Sequence, residues 1–214
     1  MREFLRSLPV FAGVIPDFDT SALPDEPVEL FAQWLRDAVD EGVVEPHVMT
    51  LSTSDETGAP DARVLILKDL DEHGWWFATN SESAKGVQLA TQPKAALTFY
   101  WPTVARQIRV RGSVVTGPVQ LSAADFRSRS TGARAVALAS KESQPLVNQA
   151  ACAEAVAEAE RQLVADPTLV APSWQVYALV ANTVEFWQAD KDRMHMRVQY
   201  RCRDELWTRT LLWP

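Results

Sequence analysis

The fold is decided by residues 47–80, HVMTLSTSDETGAPDARVLILKDLDEHGWWFATN. This stretch contains three short runs rich in β-branched and aromatic residues: HVMTLSTS (47–54), ARVLILKDL (62–70) and WWFAT (75–79). Two turn signals separate the runs, Asp55-Glu56-Thr57-Gly58 and Asp71-Glu72-His73-Gly74. Runs of this length joined by turns that contain Asp and Gly are typical of antiparallel strands. The segment therefore predicts a three-stranded β-meander.

The flanking sequence adds helices and further strands. Upstream, a helix is predicted with Asp25 as its N-cap, Pro27 in its first turn and Gly42 as its stop. Its apolar residues fall on one face: Val28, Phe31, Trp34, Leu35, Ala38 and Val39. Downstream, the pattern predicts a short helix (83–92), a helical region (122–165) and five strands (94–101, 104–117, 174–189, 196–202 and 205–213).

Together these elements predict one domain. Residues 1–24 contain three prolines and no clear period, so they are interpreted as an N-terminal arm. Residues 25–214 show no linker, repeat or low-complexity segment that would divide them. The predicted fold class is α+β, mainly β: a single antiparallel β-barrel decorated with helices.

The charge balance narrows the possible functions. Lys and Arg number 21 against 28 Asp and Glu, which gives a net charge of -7. An acidic chain is unsuited to general binding of nucleic acids or membrane surfaces, and cations concentrated within it are expected to face an anion.

No apolar run approaches the ~20 residues of a membrane span, and the N-terminus lacks the features of a signal peptide. The two cysteines and three scattered histidines predict no disulfide framework and no metal site, and a cytoplasmic setting is expected.

The segment Arg63-Val64-Leu65-Ile66-Leu67-Lys68 places two cations around an apolar run in a strand that is expected to be central. Residues five apart on a strand point to opposite faces, so one of these cations is expected to be partly buried or at a barrel mouth. A buried cation needs a counter-charge, which indicates an anionic ligand or partner. A strand whose charged ends lie in solvent is the alternative.

A second candidate is the turn from Thr79 to Gly86, TNSESAKG, where a strand ends and a helix begins. The free N–H groups at a helix start bind phosphate readily, and Lys85 lies in the first turn. Ordinary capping by Ser83 is the alternative interpretation.

The third candidate is DRMHMR, residues 192–197, which follows VEFWQ at 184–188. If the segment is extended, Arg193, His195 and Arg197 share a face. Cations, an imidazole and a nearby Trp187 suit a planar anionic ligand, although a polar turn with solvated arginines explains the same residues.

In their order and spacing these segments resemble the pyridoxine/pyridoxamine 5′-phosphate oxidase family. The resemblance runs from about residue 27 to Pro214 and is carried by RVLILK (63–68), ATNSESAK (78–85), WPTVARQI (101–108), SKESQ (140–144), EFWQ (185–188), RMHMR (193–197) and the final LLWP. It implies an FMN-binding split barrel that acts as a homodimer with shared active sites. It also implies a hydride transfer from the C4′ carbon of a small-molecule substrate to the flavin, which O2 then reoxidises with release of hydrogen peroxide.

The resemblance also implies the site residues. Arg63, Thr79, Ser83 and Lys85 would hold the phosphate and ribityl chain of FMN, and the backbone of Val64 and Leu65 would lie along the flavin. The cofactor site would be completed by Lys68, Ala78, Gln107, Glu142, Ser143, Trp187 and Arg197. Lys68 and Arg129 would face the substrate phosphate, whereas Arg193 and His195 would lie over its ring and are the candidate catalytic residues.

Several positions depart from the family pattern and leave the substrate open. Asp125 and Ala133 stand where a tyrosine and a serine normally contact the substrate phosphate, so a phosphate dianion should bind less well. Glu142 replaces a usual glutamine, and Ala84 replaces a frequent arginine. Three functions follow: oxidation of pyridoxamine or pyridoxine 5′-phosphate, oxidation of another planar aromatic anion of the dihydrophenazine carboxylate type, or binding of flavin or pyridoxal phosphate with little turnover.

Overall fold

The computed structural model describes residues 1–11, 13 and 15–214. The helices of the described chain are α1 (Arg2–Ser7), α2 (Pro27–Asp40), α3 (Ala84–Thr91), α4 (Val119–Ser128), α5 (Thr131–Ala139), α6 (Gln149–Ala165) and a short 3-10 helix (Pro102–Val104). Its strands are β1 (Val48–Ser54), β2 (Pro60–Ile66), β3 (Asp69–Asp71), β4 (Gly74–Asn80), β5 (Lys94–Trp101), β6 (Arg106–Thr116), β7 (Trp174–Gln188), β8 (Met196–Arg203) and β9 (Leu206–Leu211). No described helix is both long enough and apolar enough to cross a membrane.

The strands form a nine-stranded sheet in the order β2-β1-β5-β6-β7-β4-β3, to which β8 is added beside β7 and β9 beside β8. The pairs β3–β4, β4–β7, β7–β8 and β8–β9 are antiparallel. A helix-decorated antiparallel sheet is the predicted fold class. The prediction that RVLILK lies on a central strand is wrong, because β2 is at one end of the strand order.

The predicted strand 62–70 is divided between β2 and β3. The chain leaves β1, the neighbour of β2, and pairs instead with β4, where Asp69 faces Trp76. Leu67 is buried at this break, and the backbone N–H of Lys68 donates to the carbonyl of Trp76 at 2.8 Å. Arg63 and Lys68 therefore do not lie on one strand, and the prediction that they occupy its opposite faces is wrong.

The contacts divide the chain into two compact units, and each is described by itself. Unit 1 comprises residues 1–51, 96–112 and 181–214, and unit 2 comprises residues 52–95 and 113–180. The single domain of residues 25–214 and the arm of residues 1–24 stay predictions. Within the arm, α1 is a short helix whose residues are exposed, and residues 12 and 14 lie outside the described part of the chain.

The core of unit 1 is built on α2. Its Phe31 and Trp34 pack edge-on against Phe99 and Phe186, with ring centroids 4.9 and 5.2 Å apart. The guanidinium of Arg106 lies 4.2 Å from the Trp34 ring. Aromatic rings in such tilted contacts bury a large apolar area and gain from their quadrupoles as well.

Of the two predicted ends of α2, the C-terminal end is confirmed and the N-terminal cap is wrong. Gly42 ends the helix with a φ of 72°, as predicted. Asp25 is not the N-cap, however: Glu26 holds that position without a side-chain hydrogen bond, and the Asp25 carboxylate pairs with Arg209 at 2.9 Å. Val39, assigned to the apolar face, is 58% exposed.

Unit 2 has two apolar groups that support its candidate residues. On the sheet, Trp76, Val176 and Ala178 are buried together, with Ala78 packed against them. Between α5 and α6, the buried residues are Ala135, Ala159 and Leu163. The first group includes Trp76 and Ala78 of β4, the strand that carries Thr79. The second lies between the two helices that flank Glu142 and Ser143.

Candidate functional site

The start of α3 is held by hydrogen bonds that meet at the Ser83 side chain. Ser83 is fully buried, and its Oγ donates to the carbonyl of Asn80 at 2.7 Å. The same oxygen accepts from the backbone N–H of Gly86 at 3.3 Å and from Lys85 Nζ at 3.1 Å. Ser83 is therefore the N-cap, and it also fixes the lysine of the first turn.

Lys85 is a buried cation with a carboxylate partner. Its side chain is 6% exposed, and Nζ donates to an oxygen of Glu142, whose side chain is 41% exposed. The neighbouring Ser143 has a left-handed φ of 71°, and its Oγ accepts from the backbone N–H of Ala84 at 3.1 Å. Two residues of the segment 141–148 therefore contact the first turn of α3.

Arg63 is held against the same helix from β2. Its guanidinium donates to Thr53 Oγ1 at 2.6 Å, to Gln88 Oε1 at 3.3 Å and to the Asp61 carboxylate. A hydrogen bond from Gln88, together with the charge of Arg63, lowers the pKa of the Asp61 carboxyl. Arg63 and Lys85 therefore both bond to residues of α3 or its cap. We call Arg63, Ser83 and Lys85 the cation cradle.

Four other residues predicted to bind the cofactor in unit 2 lie on two strands. Thr79 is buried on β4, opposite Gln175, and Ala78 is half-buried in the core. On β2, Leu65 is half-buried and Val64 is 64% exposed. An exposed valine on an end strand leaves apolar surface for a ring or for another chain to cover.

A second cationic group of unit 2 surrounds Asp125. Lys68 Nζ lies 3.2 Å from Asp125 Oδ1, and the Trp174 indole N–H donates to Oδ2 at 2.8 Å. The Arg129 guanidinium stacks 3.9 Å from the Trp174 ring. Burial lowers the pKa of Arg129, and the charge of Asp125 opposes that shift. We call Lys68, Asp125, Arg129 and Trp174 the Asp125 cluster.

Unit 1 holds the remaining candidates, and two of them, His195 and Arg197, lie beside Trp187. Its ring lies 4.8 Å from that of His195, between centroids, and it faces Arg197 in the register of β7 and β8. The backbone N–H of Asp190 donates to His195 Nδ1 at 3.1 Å, which assigns the proton of the neutral imidazole to Nε2. His195 therefore presents a hydrogen-bond donor at its other nitrogen.

Arg197 is tied to a buried carboxylate that the sequence analysis did not select. Its Nε and Nη2 donate to Glu185 Oε1 at 3.0 and 2.8 Å, while Arg109 pairs with Oε2. Glu185 is 4% exposed, so it needs these two cations. Gln107 is half-buried on β6.

The prediction that Arg193 shares a face with His195 and Arg197 is wrong. It lies in an exposed turn before β8 with a left-handed φ of 66°, and its backbone N–H donates to the carbonyl of Asp190 at 3.2 Å. The segment is therefore extended only from Met196 onward.

Six further residues at these sites were not selected from the sequence: Thr53, Asp61, Gln88, Arg109, Trp174 and Glu185. Glu185 lies inside EFWQ, and a carboxylate within an apolar strand is a signal that could have found it. Asp61 lies two residues before Arg63 on the same strand, and an acidic residue at that spacing is a local signal as well. The rest belong to long-range contacts, such as that between Trp174 and Asp125, which no local pattern encodes.

Comparison with known proteins identifies the family. The family profile described as pyridoxamine 5′-phosphate oxidase matches residues 35–163, and the one described as the pyridoxine 5′-phosphate oxidase C-terminal dimerisation region matches residues 174–214. Proteins named pyridoxine/pyridoxamine 5′-phosphate oxidase from Pseudomonas paraeruginosa and Azotobacter vinelandii are 42% and 40% identical over 193 residues, which cover 89% of this chain and 90% of each relative.

Solved structures show the same fold. PhzG from Burkholderia lata, crystallised with tetrahydrophenazine-1-carboxylic acid, superposes with a TM-score of 0.88 at 29% identity and covers 94% of this chain and 100% of its own. An FMN-binding protein from Nostoc punctiforme gives 0.73 at 19% identity over 90% of this chain and 100% of its own, and supports the fold alone. The predicted split-barrel fold is confirmed. The chain belongs to the pyridoxamine 5′-phosphate oxidase family, a family of oxidoreductases.

Proposed function

We propose that this protein is an FMN-dependent oxidase that converts pyridoxamine or pyridoxine 5′-phosphate to pyridoxal 5′-phosphate, with O2 as the electron acceptor and H2O2 as a product. The cation cradle carries this proposal. Two cations and a serine-capped helix start are fixed at one helix in a chain whose net charge is -7. Relatives that are 42% identical bear the name of this activity.

The chemistry of the cradle fits the phosphate monoester of FMN. Lys85 supplies a point charge, Arg63 supplies a planar guanidinium fork, and the first turn of α3 supplies backbone N–H groups. Gly86 keeps this turn tight, because a Cβ there would lie 2.3 Å from the carbonyl oxygen of Ser81. When bound, FMN supplies a hydride acceptor that can pass its electrons to O2.

The remaining cofactor contacts are proposed from the family resemblance. Thr79 would bind near the ribityl phosphate, and the exposed edge of β2 would lie along the flavin. The other residues assigned to the cofactor site are Val64, Leu65, Lys68, Ala78, Gln107, Glu142, Ser143, Trp187 and Arg197. Trp187 offers a ring surface, and the bond to Glu185 fixes the orientation of Arg197.

Cationic side chains would orient the substrate at its acid group, and a hydrogen-bond donor would orient it at its ring. Lys68 and Arg129 would bind its acid group, and Arg193 with His195 would lie over its ring. His195 would donate from Nε2, since its Nδ1 already accepts from the Asp190 backbone. These residues position the carbon that loses the hydride, and holding the reactants in order contributes much of the rate.

We propose that the protein is a homodimer whose two chains share their active sites, and that it is cytoplasmic. Residues 174–214 match the family's dimerisation region, which supports the association of two chains. Val64 and Ile66 are 64% and 47% exposed on an end strand, and a second chain would cover such apolar surface. The two cysteines, Cys152 and Cys202, are free thiols, as a reducing compartment allows.

A second candidate is oxidation of another planar aromatic anion, of the dihydrophenazine carboxylate type. Asp125 favours it, because its carboxylate lies against Lys68 and would oppose a phosphate dianion. The related PhzG structure holds tetrahydrophenazine-1-carboxylic acid.

The deciding experiment loads the purified protein with FMN and measures O2 consumption with pyridoxamine 5′-phosphate, pyridoxine 5′-phosphate and a dihydrophenazine carboxylate. Turnover of the first two supports the proposal. Turnover of the dihydrophenazine carboxylate alone supports the second candidate function instead. Bound flavin without peroxide from any donor indicates a flavin- or pyridoxal-phosphate-binding protein, and failure to bind FMN refutes both oxidase assignments.

A further inference from the structure

The Asp125 cluster carries a single net positive charge. Lys68 and Arg129 contribute two positive charges and Asp125 one negative charge, all within the contacts that surround Trp174. The Lys68 side chain is 35% exposed and that of Asp125 is 14% exposed. An acid group that enters this cluster would meet the carboxylate as well as the cations.

Arg129 still has a donor to offer. Its Nη1 is buried and has no hydrogen-bond partner among the described residues. Burial also lowers the pKa of Arg129, which reflects the cost of holding a charge there. The guanidinium lies over the Trp174 ring, 3.9 Å from its centroid, and an anion that reached Nη1 would satisfy this donor.

Asp125 is anchored rather than free to move aside. The indole N–H of Trp174 fixes one oxygen at 2.8 Å, and Lys68 lies 3.2 Å from the other. Turning the carboxylate away from an entering ligand would break both contacts and leave a part-buried indole N–H without its acceptor. The negative charge therefore stays where the ligand must bind.

We propose that Asp125 sets this protein's preference for a substrate whose acid group carries one negative charge, either a carboxylate or a singly charged phosphate ester, over one that carries a phosphate dianion. The proposal rests on the proposed function only in taking the Asp125 cluster as the site of the substrate's acid group. A single charge matches the net charge of the cluster, whereas a dianion leaves one charge uncompensated beside a fixed carboxylate.

The test measures binding rather than turnover. Isothermal titration of the full-length, FMN-loaded protein uses three ligands that cannot be oxidised: 4-deoxypyridoxine 5′-phosphate, its phosphate monomethyl ester, and the analogue with a carboxylate in place of the phosphate. At pH 8 the first is a dianion and the other two are singly charged. The wild-type protein should bind at least one singly charged ligand more tightly than the dianion, and the comparison of the two separates a carboxylate source from a phosphate source.

Asp125→Asn removes the charge and keeps an oxygen that can accept from Trp174. It should raise the affinity for the dianion about tenfold more than the affinity for the singly charged ligands, which corresponds to about 1.4 kcal/mol. Glu154→Gln, on the exposed face of α6, makes the same charge change away from the cluster and should leave the ratio unchanged. If Asp125→Asn fails to fold, the wild-type comparison alone decides.

A wild-type preference for the dianion, or a ratio that Asp125→Asn changes by less than about threefold, overturns the proposal, as does the absence of binding by all three ligands. The outcome is separable from that of the proposed function. A shifted ratio in a protein that oxidises none of the donors supports the role of Asp125 and refutes the oxidase. An active oxidase with an unshifted ratio refutes only the role of Asp125.

Discussion

Replacing Glu142 with glutamine should tighten FMN binding while making the flavin-free protein less stable. In the cation cradle, the carboxylate of Glu142 neutralises Lys85, whose side chain is 6% exposed. A phosphate that binds Lys85 must share it with this carboxylate or displace it. Because a glutamine amide keeps a hydrogen-bonding oxygen but carries no charge, Glu142→Gln removes the competitor and also removes the charge that stabilises the buried lysine.

The expected size follows from the burial of the two partners. Two charges 4 Å apart interact by about 4 kcal/mol at an effective dielectric constant of 20. The side chain of Glu142 is 41% exposed, so solvent screening reduces this value to about 1 kcal/mol, as for other ion pairs near a surface. The FMN dissociation constant should therefore fall about three- to tenfold, and the flavin-free protein should lose about 1 kcal/mol of unfolding free energy.

The assay is the quenching of flavin fluorescence at one fixed ionic strength, since salt screens the same charges. Urea unfolding of the flavin-free protein supplies the stability value. Glu154→Gln changes the net charge equally on an exposed face of α6 and should alter neither quantity. An FMN affinity that is unchanged or weaker in Glu142→Gln would refute the view that this carboxylate competes with the cofactor phosphate.

Four other substitutions test the site. Arg63→Ala should weaken FMN binding about 10- to 100-fold, because a charge-assisted hydrogen bond contributes about 1.5–3 kcal/mol, without changing the circular dichroism spectrum; equal affinity would exclude a phosphate contact. Ser83→Ala removes the N-cap of α3 and should cost about 1 kcal/mol of unfolding free energy in urea. Gly86→Ala places a Cβ 2.3 Å from a backbone oxygen, and should lower the melting temperature and abolish FMN binding; a normal melting curve would contradict the tight turn. The pKa of Asp61 is lowered by its bond from Gln88 and by the charge of Arg63, so its stabilising contribution is present at neutral pH and lost as the pH falls below its usual range near about 3.9. Asp61→Asn should therefore flatten the acid side of a stability-against-pH profile, and an unchanged slope would contradict this.

Local patterns predicted most of the secondary structure. The alternation of KAALTFYW corresponds to β5, and Ser83 caps α3 as the hydroxyl-rich turn indicated. Both features depend on residues a few positions apart, where periodicity and capping preferences act.

The errors arose where distant contacts overrode local preferences. Asp25 has the chemistry of an N-cap, but Arg209, far along the chain, engages its carboxylate. The run ARVLILKDL is continuous in propensity, but it breaks where the chain exchanges β1 for β4 as its partner. Propensity alone cannot encode a change of partner strand.

Most residues of the site were predicted from the sequence, but the contacts between them were not. The family resemblance selected Lys85 and Glu142 separately, whereas their ion pair spans 57 residues of sequence. Arg193, expected on a common face with His195, instead lies in a left-handed turn. Glu185 was not selected from the sequence, and its ion pairs with Arg109 and Arg197 are seen only in the structure.

The most direct test compares the binding of FMN and riboflavin to the flavin-free protein by fluorescence quenching. The two flavins differ only in the phosphate, so the comparison isolates the contribution of the cation cradle. Two charged side chains and the start of α3 should make FMN bind at least about 100-fold more tightly, which corresponds to about 2.7 kcal/mol. Equal affinities for the two flavins would contradict the assignment of Arg63, Ser83 and Lys85 to the cofactor phosphate.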